Sequence, residues 1–419
     1  SSKLGPESRW GNFWSVAGSW RIDQESFMED VPVISSLRLR ASYGINGTLP
    51  PSDYGWRSLT SYANKYMEQP GSSVSSIADA DLSWETNYTS NLALEFGVFD
   101  QRLTGSLEFF NRNSKNLLQQ VPISTVTGFY TTIDNVGEIN NRGLELEVYG
   151  EIIKAGGFTW NAGLTVSHIK STVTELYGGK DIIWPEPTGG DNRTRFIYTE
   201  GESTLAIYGL EWAGVEDATG LNVWFLNNDE EPDLIVDGRP ATYDYTDADE
   251  VIIGDAHPKL FGGLNTDFGW KGISLSLNFM YKLGGHTYDA AGRDINDDGY
   301  YWERIMSLDA YENRWTPVNK DAIYPQRVAI DMEDVNQKSS RHLHPADFTR
   351  LKNITLGYSL PNDLLSKVKL SGARVYFNGA NVWTLAAWKV YDPEVNEYGS
   401  RGWEMPIGKT YTFGIEASF

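Results

Sequence analysis

The sequence predicts an all-β protein, a transmembrane antiparallel β-barrel with long extracellular loops and short periplasmic turns. Apolar and polar residues alternate along many segments of about ten residues. The connections between these segments are alternately short and long, and the chain ends in an alternating segment, 411–419, whose last residue is Phe419. A barrel strand presents one face to lipid and the other to a wet lumen, so this period-two pattern is its expected pattern. We expect Phe419 where the last strand closes the barrel.

Thirteen strands are predicted from this alternation. In two of them we expect the apolar residues to face lipid and the polar residues between them to face the lumen: Leu144, Leu146 and Val148 against Glu145 and Glu147, and Ile273, Leu275, Leu277 and Phe279 against Ser274 and Ser276. A soluble β-sandwich has the same period, because its polar faces form its outer surface. The predicted strands lie near 10–21, 34–46, 82–98, 103–113, 136–150, 158–174, 204–212, 221–226, 259–269, 272–282, 347–360, 373–385 and 409–419.

Connection lengths favour the barrel over the sandwich. The short connections are 99–102, 151–157, 213–220, 270–271 and 361–372. The long ones are 47–81, 114–135, 175–203, 227–258, 283–346 and 386–408. Tight periplasmic turns alternate with long extracellular loops in outer-membrane barrels. Thirteen strands cannot close alone, because bacterial single-chain barrels have even strand numbers and an open edge leaves backbone groups unpaired in lipid. We therefore expect about nine strands from outside this chain, in line with barrels of 22 strands.

Composition excludes several classes of function. The net charge of -21 repels nucleic acid, so no nucleic-acid partner is expected. With no cysteine there is no thiol nucleophile or thiolate metal site. The mean hydropathy is -0.40, and no segment has the ~20 consecutive apolar residues of a membrane helix. Aromatic residues make up 13% of the chain, as expected for interfacial aromatic girdles. Residues 1–6 do not read as a signal peptide, so we expect a processed chain or a piece of a longer one.

Six sequence motifs carry a family resemblance. The segment Val136–Leu146, VGEINNRGLEL, resembles the GEIxNRGLEL hallmark of SusC/RagA-type TonB-dependent outer-membrane transporters. Other segments resemble further motifs of this family and follow its order along nearly the whole chain: Leu37–Gly44, Asp81–Thr86, Glu211–Gly220, Phe348–Pro361 and Lys409–Gly414. Residues 404–409 match more loosely.

The resemblance implies that residues 1–419 are the C-terminal portion of a TonB-dependent receptor β-barrel of 22 strands in a Gram-negative outer membrane. The plug and the first barrel strands are then absent from this chain. The implied function is TonB-dependent active import of oligosaccharides or peptides. The implied partners are a SusD-like surface lipoprotein, the TonB complex acting through the plug, and the remaining barrel half. Residues 409–419 would pair with the first barrel strand of that half, and the strand near 10–21 with its ninth.

Two other functions remain open at this point. The first is a structural or docking barrel in a surface assembly without TonB-driven transport. The second is an outer-membrane hydrolase, but Gly201–Leu205 lacks the second glycine of a nucleophile elbow, and we predict that the chain is not an enzyme. A plug and TonB box upstream would favour import over a scaffold.

Loop aromatics are the main candidates for contact with ligand or partner, because flat apolar rings with polar rims stack on sugars or bury against proteins. They could equally form the upper aromatic girdle. The candidates are Trp56, Tyr62, Tyr66, Trp184, Tyr301, Trp302, Tyr391 and Trp403. The loops 47–81, 283–346 and 386–408 are expected to meet the lipoprotein.

Metal binding is a further candidate property. No cofactor is otherwise expected, but Asp294, Asn296 and Asp298 resemble the first half of a Ca²⁺ loop, without the glutamate expected at its twelfth position. A solvated acidic loop is the alternative. His342 and His344 could also bind a metal, but without a carboxylate at helical spacing we interpret them as an ordinary loop pair.

Overall fold

The computed structural model describes residues 1–50, 53–185, 194–296, 298–299, 305–329, 337–396 and 398–419. Strands dominate, and the α-helices in these ranges are the short α1 (Ala290–Ile295), α2 (Leu308–Asn313) and α3 (Asn362–Leu365). Short 3₁₀ turns lie at Ile22–Gln24, Ser26–Met28, Thr125–Thr127, Tyr177–Gly179, Ser340–His342 and Ser366–Val368. None of the described helices has the length and apolar character needed to span a membrane. The all-β prediction is confirmed.

Eleven long strands form one antiparallel sheet in chain order. They are β1 (Trp14–Arg21), β2 (Ile34–Thr48), β3 (Glu85–Val98), β4 (Leu103–Lys115), β5 (Glu138–Ala155), β6 (Phe158–Glu175), β7 (Leu260–Trp270), β8 (Ile273–Leu283), β9 (Phe348–Ser359), β10 (Gly372–Ala386) and β11 (Thr410–Ser418). Most reach the 9–11 residues that a tilted membrane strand needs.

The prediction of thirteen membrane strands was wrong by two. The segments predicted at 204–212 and 221–226 contain strands of four residues, Ala206–Gly209 and Asn222–Phe225, which pair in smaller sheets. Four residues are too short to cross a bilayer. The segment 213–220 is therefore not a periplasmic turn, and 176–259 is a single long connection.

With this correction, the alternation of connection lengths is complete. The short connections between the long strands are 22–33, 99–102, 156–157, 271–272 and 360–371. The long ones are 49–84, 116–137, 176–259, 284–347 and 387–409. Two short turns have positive φ at both residues, Gly156-Gly157 and Lys271-Gly272, as type I′ hairpins require.

The chain divides into two compact units. The first consists of Ser1–Asp181, Thr199–Thr204 and Thr266–Phe268, and the second of Ile182–Tyr198, Leu205–Asn265 and Gly269–Phe419.

In the first unit, the strand register separates an apolar face from a charged face. On β4 and β5, Leu146 lies opposite Leu107, and on the other face Glu145 lies opposite Glu108. The charged face also carries Arg40, whose Nε lies 2.6 Å from a carboxylate oxygen of Glu95. The predicted sets on β5 therefore lie on opposite faces.

Gly143, in the hallmark motif, has a packing role. A Cβ atom there would lie 2.6 Å from the carbonyl oxygen of His168 and 2.6 Å from the ring of Phe110. Glycine lets this ring and the neighbouring strand approach closely.

In the second unit, β8 to β11 show the same division. Leu275 pairs with Leu356, which pairs with Phe377 on β10. On the polar face, Ser276 pairs with Thr355. The described loops of this unit form three small sheets, and their strands in spatial order are Ile182–Pro185, Arg195–Tyr198, Ala206–Gly209 and Val251–Asp255; Trp212–Val215, Asn222–Phe225, Arg239–Thr242 and Leu234–Val236; and Leu343–Pro345, His286–Asp289 and Ser400–Arg401.

The first-unit loops carry short hairpins. They pair Leu59–Ser61 with Ser73–Ser76, Lys65–Tyr66 with Gln69–Pro70, and Leu118–Pro122 with Thr131–Asn135. At the ends of the large sheet, β1 and β11 each have one neighbour among the described strands.

Candidate ligand-binding region

The candidate region lies in the loops of the second unit, where three distant segments meet in the sheet of Leu343–Pro345, His286–Asp289 and Ser400–Arg401. Beneath this sheet, Tyr288 packs in a buried cluster with Phe196 and Ile207, and Leu343 packs against the same cluster. A loop that has its own apolar core can hold polar side chains in fixed positions. The sheet is therefore the scaffold of the region.

Asp289 links two of these segments. Its carboxylate accepts the backbone N–H of Gly292 at 2.7 Å, which caps α1, and a bond from Arg401 Nη1 at 2.7 Å. The Arg401 guanidinium also lies 3.8 Å from the centre of the Tyr391 ring. Both charged side chains are buried, so each neutralises the other in a site with little water.

A second buried ion pair joins Arg341 to Asp298. Both terminal nitrogens of Arg341 donate to this carboxylate, one of them at 2.7 Å. The guanidinium lies 5.6 Å from the ring of Trp212 and 5.5 Å from that of Tyr324. Tyr324 donates its hydroxyl to Asp309 at 2.6 Å, and burial together with this bond raises the pKa of Tyr324. This pair therefore lies among aromatic rings.

His342 and His344 flank Leu343, and both line one cavity while Leu343 packs in the apolar cluster. Side chains two residues apart in extended backbone share a side, which explains this arrangement. The ring of His344 stacks on Trp388 at 4.7 Å between centroids. Burial lowers the pKa of His342 well below its usual range and also lowers the pKa of His344, so both rings are neutral at pH 7.

The cavity has a volume of about 300 Å³. Its polar lining includes Asp289, Arg401, Arg341 and His342. Its aromatic lining is Trp212, Tyr324, Trp388 and the imidazole of His344. Apolar walls with a few convergent polar groups are typical of small-ligand sites, and this volume is at the lower end of their range.

A second cavity, of about 310 Å³, lies against the buried guanidinium of Arg350. Trp388 lines both cavities. Arg350 donates to Glu394 at 2.9 Å and pairs with Asp392, so the segment after β10 is tied to β9 by ion pairs.

The sequence comparison decides the family. The family described as TonB dependent receptor-like, beta-barrel matches residues 2–382. The chain belongs to this family. The family is one of outer-membrane proteins, which confirms the predicted location, the barrel fold class and the SusC/RagA-type resemblance.

Relatives of this TonB-dependent receptor chain include two curated proteins. TonB-dependent receptor P3 of Formosa agariphila is 28% identical over 448 residues, covering 100% of this chain and 43% of the relative. TonB-dependent receptor SusC of Bacteroides thetaiotaomicron is 26% identical over 435 residues, covering 100% of this chain and 41% of SusC. The chain thus spans less than half the length of these relatives. They are named receptors, in agreement with the prediction that the chain is not an enzyme.

A solved structure gives the same result. The RagAB peptide transporter matches with a TM-score of 0.85 at 28% identity, over 100% of this chain and 44% of that one. The RagAB peptide importer in its open-open state matches with a TM-score of 0.83, also at 28% identity and with the same coverage.

The predicted aromatic residues of this receptor chain do not form one site. Tyr391 contacts Arg401 beside the cavity. Trp56 is half-buried under the guanidinium of Arg57, at 4.4 Å. Tyr62 is 80% exposed and Trp403 60% exposed. The others lie in the short strands Lys65–Tyr66 and Ile182–Pro185, or, for Tyr301 and Trp302, outside the described residues. Their contact with a ligand or partner stays a prediction.

The Ca²⁺ assignment also stays a prediction. Asp294 lies in α1, Asn296 accepts a bond from Ser307 at 2.6 Å, and Asp298 is bound by Arg341. Within the described ranges, no group of three or more His, Asp or Glu side chains has the arrangement of a metal site.

Several residues of the region were missed from the sequence. Asp289 and Arg401 are 112 residues apart, and Trp212 was assigned to a membrane strand. No local pattern brings such residues together. The only available signal was that the other members fall in the two long loops 283–346 and 386–408.

Proposed function

We propose that the whole protein imports oligosaccharides or peptides across the outer membrane, driven by TonB and together with a SusD-like surface lipoprotein. The observation that supports this most is the full-length overlap of this chain with the RagAB peptide transporter at a TM-score of 0.85. Family membership supports the same proposal.

The barrel is completed by the part of the protein that this chain lacks. A 22-stranded barrel needs eleven strands beyond the eleven of this chain, rather than the nine expected from thirteen. In this proposal β11 pairs with the first of them and β1 with the last, and Phe419 lies at the closure. Unpaired edges in lipid cost several kcal/mol for each backbone group, so both edges need partners.

The lipoprotein would cover the long loops, over an interface above ~1,000 Å². The loops 47–81 and 386–408 present the exposed rings of Tyr62 and Trp403, a kind of residue enriched in protein interfaces. Substrate would be held between the lid and the loop sheets of the second unit.

Uptake and co-purification test this proposal. Cells that carry the full-length gene should take up fluorescent oligosaccharides or peptides, and uptake should cease on deletion of TonB or of the lipoprotein. The tagged full-length protein should co-purify with the lipoprotein in mild detergent. A protein that co-purifies with surface partners, while its deletion leaves uptake unchanged, would be a structural barrel instead.

A further inference from the structure

The cavity of about 300 Å³ contains buried nitrogens without partners. His342 Nε2, Arg341 Nε and Arg401 Nε have no hydrogen-bond partner among the described residues, and all three side chains line this cavity. His342 is 5% exposed. Leaving buried polar atoms unsatisfied is unfavourable, and native structures seldom tolerate several of them in one place without a ligand or ion. The cavity therefore offers hydrogen bonds that the described chain does not use.

The charges around the cavity are already compensated. Arg401 is paired with Asp289 and Arg341 with Asp298, and all four side chains are at most 10% exposed. The two histidines are neutral, since burial lowers the pKa of each. A charged ligand would bring an uncompensated charge into a site that has no counter-charge left for it. The cavity thus favours an uncharged ligand.

The hydrogen-bonding groups and rings narrow the class further. The two Nε–H groups of Arg341 and Arg401 can only donate, so the ligand must offer acceptor oxygens. A peptide N–H would meet a donor there, whereas a hydroxyl accepts and also donates to a carboxylate such as Asp309 in the same lining. Trp212 and Trp388 supply flat apolar faces. Hydroxyls around a ring with an apolar face describe a sugar.

We infer that this cavity binds one uncharged sugar residue, whose hydroxyl oxygens engage His342, Arg341 and Arg401. This rests on the proposed function, since it decides between its two substrate classes in favour of oligosaccharides. The sugar would be one terminal or branching unit of a longer chain, because the volume is at the lower end of the range for ligand pockets.

Binding of small probes to the purified full-length protein tests the inference. The probes are the methyl glycosides of glucose, galactose and mannose, with glucuronate as the charged sugar and trialanine as the peptide. Saturation-transfer NMR should detect at least one neutral glycoside. Its affinity should fall at least about tenfold in His342→Leu and stay within about threefold in His342→Gln, which keeps a polar group that can hydrogen-bond.

Two further variants keep the test independent of folding. Val390 lines the cavity and is 71% exposed, so Val390→Trp should fill the cavity without disturbing the ion pairs and should abolish binding. His257→Leu changes a histidine outside the cavity lining and should leave binding unchanged. Circular dichroism and heat-modified gel mobility establish that each variant is folded.

Three results would overturn the inference: glycoside binding that is the same in wild type and Val390→Trp, no glycoside binding at all, or a His342-dependent signal from trialanine or glucuronate. Its failure differs from failure of the proposed function. TonB-dependent uptake without cavity binding refutes the sugar site alone, whereas cavity binding without TonB-dependent uptake refutes import.

Discussion

Replacement of Arg350 by methionine should release the segment 387–409 from β9. Arg350 is 2% exposed, donates to Glu394 at 2.9 Å, and pairs with Asp392. Asp392 in turn accepts the backbone N–H groups of Glu394 at 3.0 Å and of Ile407 at 3.1 Å. One guanidinium therefore positions the carboxylate that joins the two ends of this segment.

The magnitude follows from burial. Removing one partner of a buried ion pair costs about 3–5 kcal/mol, because the other charge stays uncompensated. The Asp392 side chain is 10% exposed and borders the cavity of about 310 Å³, so water can hydrate it once Arg350 is gone. We therefore expect the lower value, about 3 kcal/mol, which corresponds to an increase of about 100-fold in the local opening equilibrium.

Hydrogen exchange measured by mass spectrometry on the full-length protein is the assay. Peptides within 387–409 should exchange about 100-fold faster in Arg350→Met, while peptides from β4 should not change. Lys352→Met is the matched control: Lys352 binds Glu394 at 3.0 Å, but its side chain is 36% exposed, so its loss should cost at most about 1 kcal/mol. Equal acceleration by both variants, or none by Arg350→Met, would refute the reasoning.

Three further predictions concern the wall, a surface ion pair and the last strand. Leu275→Arg should impair assembly of the full-length barrel while Ser276→Arg is tolerated, since a lipid-facing arginine costs about 2–4 kcal/mol near the midplane; heat-modified gel mobility measures this, and the reverse order would mean a register error of one residue. The bond from Arg239, at 2.6 Å, holds the pKa of Glu211 below its model value of 4.5. This contact is therefore complete above that value and is lost as pH falls through the lowered folded pKa. Hydrogen exchange near Glu211, corrected for intrinsic pH dependence, should rise there in wild type and show no such step in Glu211→Gln; a step in the variant would contradict the assignment. Deletion of 410–419 should prevent assembly, because it removes β11 and exposes the edge of β10; a truncated protein that inserts and shows normal heat modification would count against it.

The membrane strands could be predicted because their cause is local. Each residue of such a strand faces either lipid or lumen, so the alternation is present in the strand's own sequence. The strand predicted at 158–174 is Phe158–Glu175, and that predicted at 272–282 is Ile273–Leu283. The errors at 204–212 and 221–226 have the same origin. Short loop strands also have a buried and an exposed face, so alternation alone does not distinguish them from short membrane strands.

The loop region could be predicted only as a location. Tyr391 was a candidate because aromatic residues in long loops are conspicuous, but its contact with Arg401 was not foreseen. Arg341 and Asp298 are 43 residues apart, and nothing in either neighbourhood indicates the other. A pair of this kind is specified by the folded loops, whereas a sequence pattern reports only on neighbours within a few residues.

This difference bears on how specificity can change. The loops of the second unit fold on an apolar cluster of their own around Tyr288, and buried pairs such as Asp289–Arg401 position their polar groups. Neither feature uses the alternating pattern that builds the sheet. Substitutions in the cavity lining should therefore alter ligand choice without disturbing the membrane strands, because the two sets of residues share no packing requirement. A pre-organised cavity also loses little entropy when it binds, so a few side chains such as His342 and Trp388 can determine which ligand is held.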